Sequence, residues 1–481
     1  MAWSLHLMSG NVSNASFLKT YLNLLSRLRE GGSSFAKQNP ELAPYLDMAT
    51  RKSSDPEIER LIESFAFMMA QVEYKSSLSQ NEYLIQFIEN ILPEITQPIP
   101  GLVIAKCNVD EKIFEDGQTE VTLDAQSLFS LSHSDGQVFY FSNTADIILS
   151  PIAIQDVIVA SSFSSKENLY NHKRALVFKL SSMVEINPHK NGKTTFRFYI
   201  NSDLNNALNI IESVLNSNKR IIVVNDAGEK FEIPRTKLRI PFDFDNYLQE
   251  NNNSNCLYPV FDFCKFYNKY YFFEFTLPEF ISFSSELKII VPLEDSSQYK
   301  FDIKPNTFLT NCVPLFNFFE KNLKPIRTEK GVYEYGVHAD FSRLHTNDIV
   351  SINHVSTIHP VTNEIQEIVN YHKKSLANMS NPNINPNCFW VARRSFYAAT
   401  EQHGVLLLRL ILTDEVSHLP DYLKISAYCT NGKSVSKILP NSQLSVESSN
   451  VSVEAETLGW IQTQENISDI TEKLDTISYL F

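Results

Sequence analysis

The sequence predicts a multidomain α+β protein, with a helical N-terminal region followed by β-rich domains that contain a few helices. Three observations predict it. Apolar residues recur at three-and-four spacing through the N-terminal stretch. Pro93, Pro98 and Pro100 then make an extended connector that no helix can cross unbroken. Past Pro100 the apolar runs turn short, β-branched or aromatic, and are bounded by turn residues. At 481 residues the chain has room for about three domains of ~150 residues. Its punctuation divides it as 1–100 (helical), 101–250 (β-rich with one helix), 256–378 (aromatic-rich α+β) and 388–481 (β-rich, ending in an amphipathic helix).

The first element runs from Phe17 to Glu30. Phe17, Leu18, Tyr21, Leu22, Leu24, Leu25 and Leu28 form its apolar stripe, and Gly31-Gly32 supply a stop. A short helix is expected from Glu41 to Met48. The next begins at Asp55, whose carboxylate suits the free N–H groups of a first turn, with Pro56 in the first helical position. Glu57 and Glu59 lie where the helix dipole favours negative charge. Ile58, Leu61, Ile62, Phe65, Met68, Met69 and Val72 then mark one buried face. A further helix carries Tyr83, Leu84, Phe87, Ile88 and Ile91 inward.

Beyond the connector, Val138 to Phe141, Asp146 to Leu149, Ala175 to Leu180 and Thr195 to Ile200 read as strands. One helix follows Ser202-Asp203, with Leu204, Ala207, Leu208, Ile211, Val214 and Leu215 on one face. Arg220 to Val224 and Lys230 to Ile233, around Asp226-Ala227-Gly228, suggest a hairpin. Asn251 to Asn255 reads as a linker. The aromatic block from Tyr258 to Phe283 reads first as core, with a protein–protein patch or a sugar platform as alternatives. Met379 to Asn387 reads as a second linker. Val405 to Leu412 and Leu423 to Tyr428 are strands. The end carries Ile467, Ile470, Leu474, Ile477 and Phe481 in a narrow helical seam, suited to its own domain or to a partner helix.

Composition excludes several classes. The net charge is −13, from 42 Lys+Arg against 55 Asp+Glu, and no basic run exceeds a pair such as Lys219-Arg220, which argues against nucleic acid. Six cysteines (Cys107, Cys256, Cys264, Cys312, Cys388, Cys429) lie scattered and never at C-x2-C spacing. They read as reduced thiols of a cytoplasmic protein. The N-terminus has no signal-peptide pattern, and no run approaches ~18 apolar residues, so no membrane span is expected. With 13 glycines there is no phosphate-cradling motif.

One constellation could hold a metal: His338, Asp340, His345, His354 and His359. It would support a metal-dependent hydrolase, although its spacing fits no helix-borne H-E-x-x-H. Arg393-Arg394 suit an anion, a partner carboxylate or a salt-bridged pair at a strand end. No Ser or Cys lies in a nucleophile signature. No catalytic residue, cofactor or metal is therefore assigned.

Strings along most of the chain resemble the TssF family, also called VasA or ImpG, of type VI secretion baseplate wedge proteins. Tyr21-Leu22, Leu28-Arg29-Glu30, Phe35-Ala36, Pro40 and Ala43 match its opening. Asp55-Pro56, Glu59-Arg60-Leu61, Glu63 and Phe65-Ala66-Phe67 match its DP-x-VERLIEGFAFL helix, with Ser64 in place of the usual glycine. Leu92-Pro93 and Pro98-Ile99-Pro100 match its connector, where Glu94 replaces a usual histidine. Asn311-Cys312-Val313-Pro314, Asn317, Phe319-Glu320 and Pro325-Ile326 resemble its NC-x-PV-x-NLFE segment. Tyr333, Tyr335, Asp340, Asp348 to Ile352, Phe389-Trp390 and Arg393-Arg394 resemble later landmarks. That pattern asks for no histidine at His338 or His345.

The resemblance implies a structural, non-enzymatic role in this contractile injection system. Two TssF copies and one TssG would form a wedge that carries TssK and TssE. Six wedges would surround the VgrG hub and nucleate tube and sheath at an inner-membrane-docked cytoplasmic baseplate. A C-terminal end shorter than is usual for the family suggests a divergent, IglH-like class linked to virulence. The expected assembly interface comprises Leu18, Tyr21, Leu24, Leu25, Leu28, Arg29, Glu30, Ile470, Leu474 and Ile477.

Overall fold

The structure, a computed structural model, describes residues 11–41, 55–91, 98–109, 114, 120–161, 172–188, 194–241, 258–293, 300–340, 347–358, 365–371, 384–395, 405–413, 420–447 and 453–463. Strands dominate behind a helical N-terminal region, as the α+β reading expects.

Helix α1 (Asn11–Gln38) passes through Gly31-Gly32 instead of stopping there. Glycine inside a helix costs only about 1 kcal/mol, and the chain regains a buried position at Ala36 beyond the pair. Helix α2 (Pro56–Ile91) merges the two helices expected after Asp55 into one of 36 residues. Asp55 starts it as anticipated: its carboxylate accepts the Glu57 N–H at 2.9 Å. The expected helix from Glu41 to Met48 lies, beyond Glu41 itself, outside the described residues, as do the Asn251 to Asn255 linker and the C-terminal helix.

Three bodies of strands follow, assembled from distant stretches. A closed barrel takes, in order, Leu102–Asn108, Cys312–Phe316, Val138–Ser142, Leu128–Ser132, Gln443–Glu447 and Glu454–Gln462. Side chains alternate across a strand, so Val103, Ala105 and Cys107 fill the barrel with Phe129, Phe139, Phe141 and Leu315. Leu102 and Ile104 serve neighbouring cores instead.

A five-stranded sheet (Lys230–Ile233, Ile221–Asn225, Glu286–Pro292, Arg174–Ser182, Ile152–Ser161) shares one core with a four-stranded sheet (Leu238–Arg239, Phe272–Leu277, Thr194–Ile200, Phe308–Thr310). Helix α3 (Leu204–Leu215), capped by Asp203, adds Ala207, Ile210 and Val214 to that core. The expected hairpin is present, with Phe231 opposite Val223. The aromatic block is mostly core: Phe266, Tyr271, Phe272, Phe273, Phe275 and Phe283 are buried, whereas Phe280 is exposed. Helix α4 (Tyr258–Lys265) opens the block.

The third body is a sheet running Phe319–Asn322, Tyr422–Thr430, Asp348–Ile358, Ile365–Asn370, Ile384–Ser395, Val405–Leu412 and Glu334–Val337. Asn385 to Asn387, read as linker, belong to its strand Ile384–Ser395. Divisions near 250 and 378–388 therefore cut through sheets. The barrel alone draws on residues 102 to 462, and such pairings between distant stretches leave no mark on local periodicity.

Candidate assembly surface

The two N-terminal helices form an antiparallel hairpin. Phe17 of α1 meets Phe67 and Tyr74 of α2 edge-on, with ring centroids 5.5 and 5.9 Å apart. Tyr21 packs on Phe67 at 6.3 Å. At the other end Arg29 forms an ion pair with Glu59 and reaches Glu63 at 3.8 Å. Leu25, Glu59, Ala66 and Ala70 are buried. Small alanines let α1 approach closely, and the ion pair fixes the register.

This packing divides the expected interface. Leu25 belongs to the hairpin's interior, and Tyr21, Leu24, Leu28 and Arg29 are half-buried. Leu18 is exposed, and so is Glu30, whose carboxylate accepts the Ser26 hydroxyl at 3.5 Å. Ile470, Leu474 and Ile477 lie outside the described residues.

Of the α2 face read as buried, Ile58 and Ile62 are half-buried and the other five residues point outward. Leu61, Phe65, Met68, Met69 and Val72 are 73, 48, 56, 42 and 65 % exposed. Periodicity locates an apolar stripe but cannot say whether this chain or another covers it. At 100° per residue that stripe lies on the far side of α2 from Ala66 and Ala70. Leu22 (53 %) and Leu18 (54 %) on α1 add to the exposed apolar side chains of the hairpin, and clusters of that kind mark interaction surfaces.

The described members of the histidine constellation do not converge on one point. His354 lies on Asp348–Ile358, exposed beside Glu367 at 3.5 Å. His338 follows Glu334–Val337, and three strands of the sheet separate the two. His345 and His359 lie outside the described residues. Among the described residues no three His, Cys, Asp or Glu gather as a metal would need. Arg393 pairs with Glu334 at 2.9 Å, and Arg394 donates to the Ile349 and Val350 carbonyls at 2.7 and 3.2 Å.

Motif residues quoted from the Asn311 segment prove to be joints. Asn311 sits at φ 55°, a left-handed conformation that asparagine tolerates. Its side-chain amide pairs with both backbone groups of Ser150 at 2.9 Å. Asn317, fully buried, donates to the Tyr140 carbonyl and to Asn431 Oδ1 at 2.6 and 2.7 Å. Its Oδ1 accepts from the Thr430 hydroxyl and the Asn431 N–H at 2.8 and 2.7 Å. This network ties the barrel to the third sheet. Sequence reading could find the motif but not its purpose.

Cys107, Cys312, Cys388 and Cys429 are buried free thiols, and Cys264 is exposed. Burial pushes Cys107 and Cys429 up to about 12 and Cys388 to about 11, so they are unreactive. Among the described residues no helix is long and apolar enough to cross a membrane.

The family model described as "Type VI secretion system, TssF" matches residues 13–474. The Type VI secretion system component TssF1 of Pseudomonas aeruginosa is 28 % identical over 97 residues, which are 20 % of this chain and 16 % of that relative. A chain of the TssK-TssF-TssG baseplate subcomplex of the type VI secretion system, solved by cryo-electron microscopy, superposes with a TM-score of 0.60 at 16 % identity. That likeness covers 84 % of this chain and 74 % of the other. A chain of the baseplate complex from the same system gives 0.50 at 16 % identity, over 93 and 76 %. At this identity the likenesses speak for a shared fold.

Proposed function

Because this chain belongs to the TssF family of the type VI secretion system, we propose that it is a structural subunit of the secretion baseplate and carries out no catalysis. The observation that carries the reading is the hairpin, locked internally by Arg29–Glu59 and the Phe17–Phe67 contact, yet apolar on its outside. Burying apolar surface is worth roughly 25 cal/mol per Å², so such a face drives obligate assembly, whose interfaces are large and hydrophobic.

The partners are a TssG-like protein and a second copy of this chain, joined in a wedge, with TssK and TssE attached and the VgrG hub at the centre. TssK and TssG accompany TssF in the solved subcomplex; TssE, the hub and the indirect contacts with tube and sheath follow from the family resemblance. The site of action is the cytoplasm, within a baseplate docked at the inner membrane. The outer positions of α1, with Leu18 foremost, meet these partners in a shared helical bundle.

Co-expression with the neighbouring TssG-like protein, followed by size exclusion with light scattering, tests this. A stable complex of two copies to one is the expected result. A monomer that ignores the TssG-like protein overturns the reading.

A further inference from the structure

We propose that α2 pairs with α2 of a second copy, antiparallel, through the face turned away from α1. The pairing rests on the two-copy reading above and assigns it a surface.

Leu61, Phe65, Met68 and Val72 follow one another at intervals of four, three and four, all exposed. Such a seam suits knob-and-hole packing against another helix. Its sequence is complementary to itself in one direction. With a two-fold axis between Ala66 and Phe67, perpendicular to α2, Leu61 falls opposite Val72 of the second copy and Phe65 opposite Met68. The same axis brings Arg60 to the level of Glu73 on the rim. A parallel arrangement would instead stack Phe65 on Phe65 and set Arg60 beside Arg60.

Charge points to the same strip. Two copies at −13 each repel, so contact is least costly where the surface is neutral. Between Leu61 and Val72 the one ionisable side chain is Glu63, which leans toward Arg29 on the hairpin side. A two-fold contact also closes on itself and leaves no open end for fibres.

Chains with one introduced cysteine test the geometry, in a Cys256→Ser/Cys264→Ser background that keeps the four buried thiols, alone and with the TssG-like neighbour. Leu61→Cys mixed with Val72→Cys should give an inter-chain disulfide on mild oxidation. Either variant alone should give none, because the two positions lie about 16 Å apart along the helix. A disulfide from Leu61→Cys alone would mean parallel pairing, and none from the mixture in either setting would mean no pairing; each sinks the proposal. Phe65→Glu should weaken self-association at least tenfold, and Phe65→Glu/Met68→Lys should regain most of it, since each Glu then faces a Lys. A two-to-one complex without the Leu61–Val72 disulfide would leave the baseplate reading standing and this pairing refuted. A cross-linked dimer that ignores the TssG-like protein would do the reverse.

Discussion

Arg29 of α1 holds Glu59 of α2 in an ion pair whose carboxylate side chain is only 10 % exposed. Buried charge is tolerated only when paired, so the hairpin favours the alignment that brings these two groups together. That alignment also seats Phe17 against Phe67 and Tyr74. The register so fixed decides which side of α2 remains outside, and therefore what the hairpin offers to another chain.

Removing the cation should show this. Arg29→Ala takes away the cation held against the buried Glu59 carboxylate, and the expected loss is about 1–3 kcal/mol of hairpin stability. Hydrogen exchange along α1 and α2, with denaturant unfolding followed by helical circular dichroism, measures it. Exchange rates unchanged from the parent chain would mean that the pair sets no register.

Asn317 should be the less replaceable of the two joint asparagines. Its side chain makes four hydrogen bonds at 2.6 to 2.8 Å with no exposure to water. Asn317→Ala strands the Asn431 amide, the Thr430 hydroxyl and the Tyr140 carbonyl. At about 1–3 kcal/mol for a buried group left unsatisfied, a loss of roughly 3 kcal/mol is expected from chemical denaturation. Asn317→Asp should cost more, since a carboxylate cannot donate to Tyr140 or Asn431. A variant as stable as the parent would remove the network from the account of how barrel and sheet are joined.

These joints mark where the sequence stops being legible. The strand Thr194–Ile200, the helix after Asp203 and the hairpin around Gly228 were readable, because turn chemistry and periodicity are local. The barrel was not. Its closure pairs Ile104 with Leu458 and Ala105 with Val313, contacts that no window of neighbouring residues contains. The α2 stripe was legible as apolar and misread as buried, since an interior face and an interface have the same composition. Gly31-Gly32 misled for another reason: a stop signal is a preference of about 1 kcal/mol per residue, and here the helix runs on past it to a buried Ala36.

The buried thiols predict a pH dependence. The ordinary cysteine value of 9.0 is raised by burial to about 12 at Cys107 and Cys429, and to about 11 at Cys388. The neutral thiol is the form that folding favours. Its contribution is complete below pH 9 and is lost as pH climbs from 9 towards 12. Denaturation midpoints should be flat from pH 7 to 8 and fall above 9. At pH 8 a thiol reagent should modify Cys264 rapidly and reach the four buried cysteines only after unfolding. Fast labelling of Cys107 in the folded chain would contradict the closed, packed barrel.

Leu18, Leu22 and Leu25 separate a surface role from an interior one within a single helix. Leu18 and Leu22 are 54 and 53 % exposed, whereas Leu25 is 6 % exposed. A Leu18→Asp/Leu22→Asp variant puts charge where water already reaches, so its stability should stay within about 0.5 kcal/mol of the parent at each site. In a bundle with partner helices the same two aspartates would be buried without cations. Recovery with the TssG-like protein should then fall at least tenfold. Leu25→Asp buries a carboxylate inside the hairpin itself and should unfold α1 and α2 before any partner is added, while the barrel and sheets keep their β signal. If the Leu18/Leu22 variant assembles as well as the parent, this part of α1 faces solvent in the complex, and the outer face of α2 must carry the assembly instead.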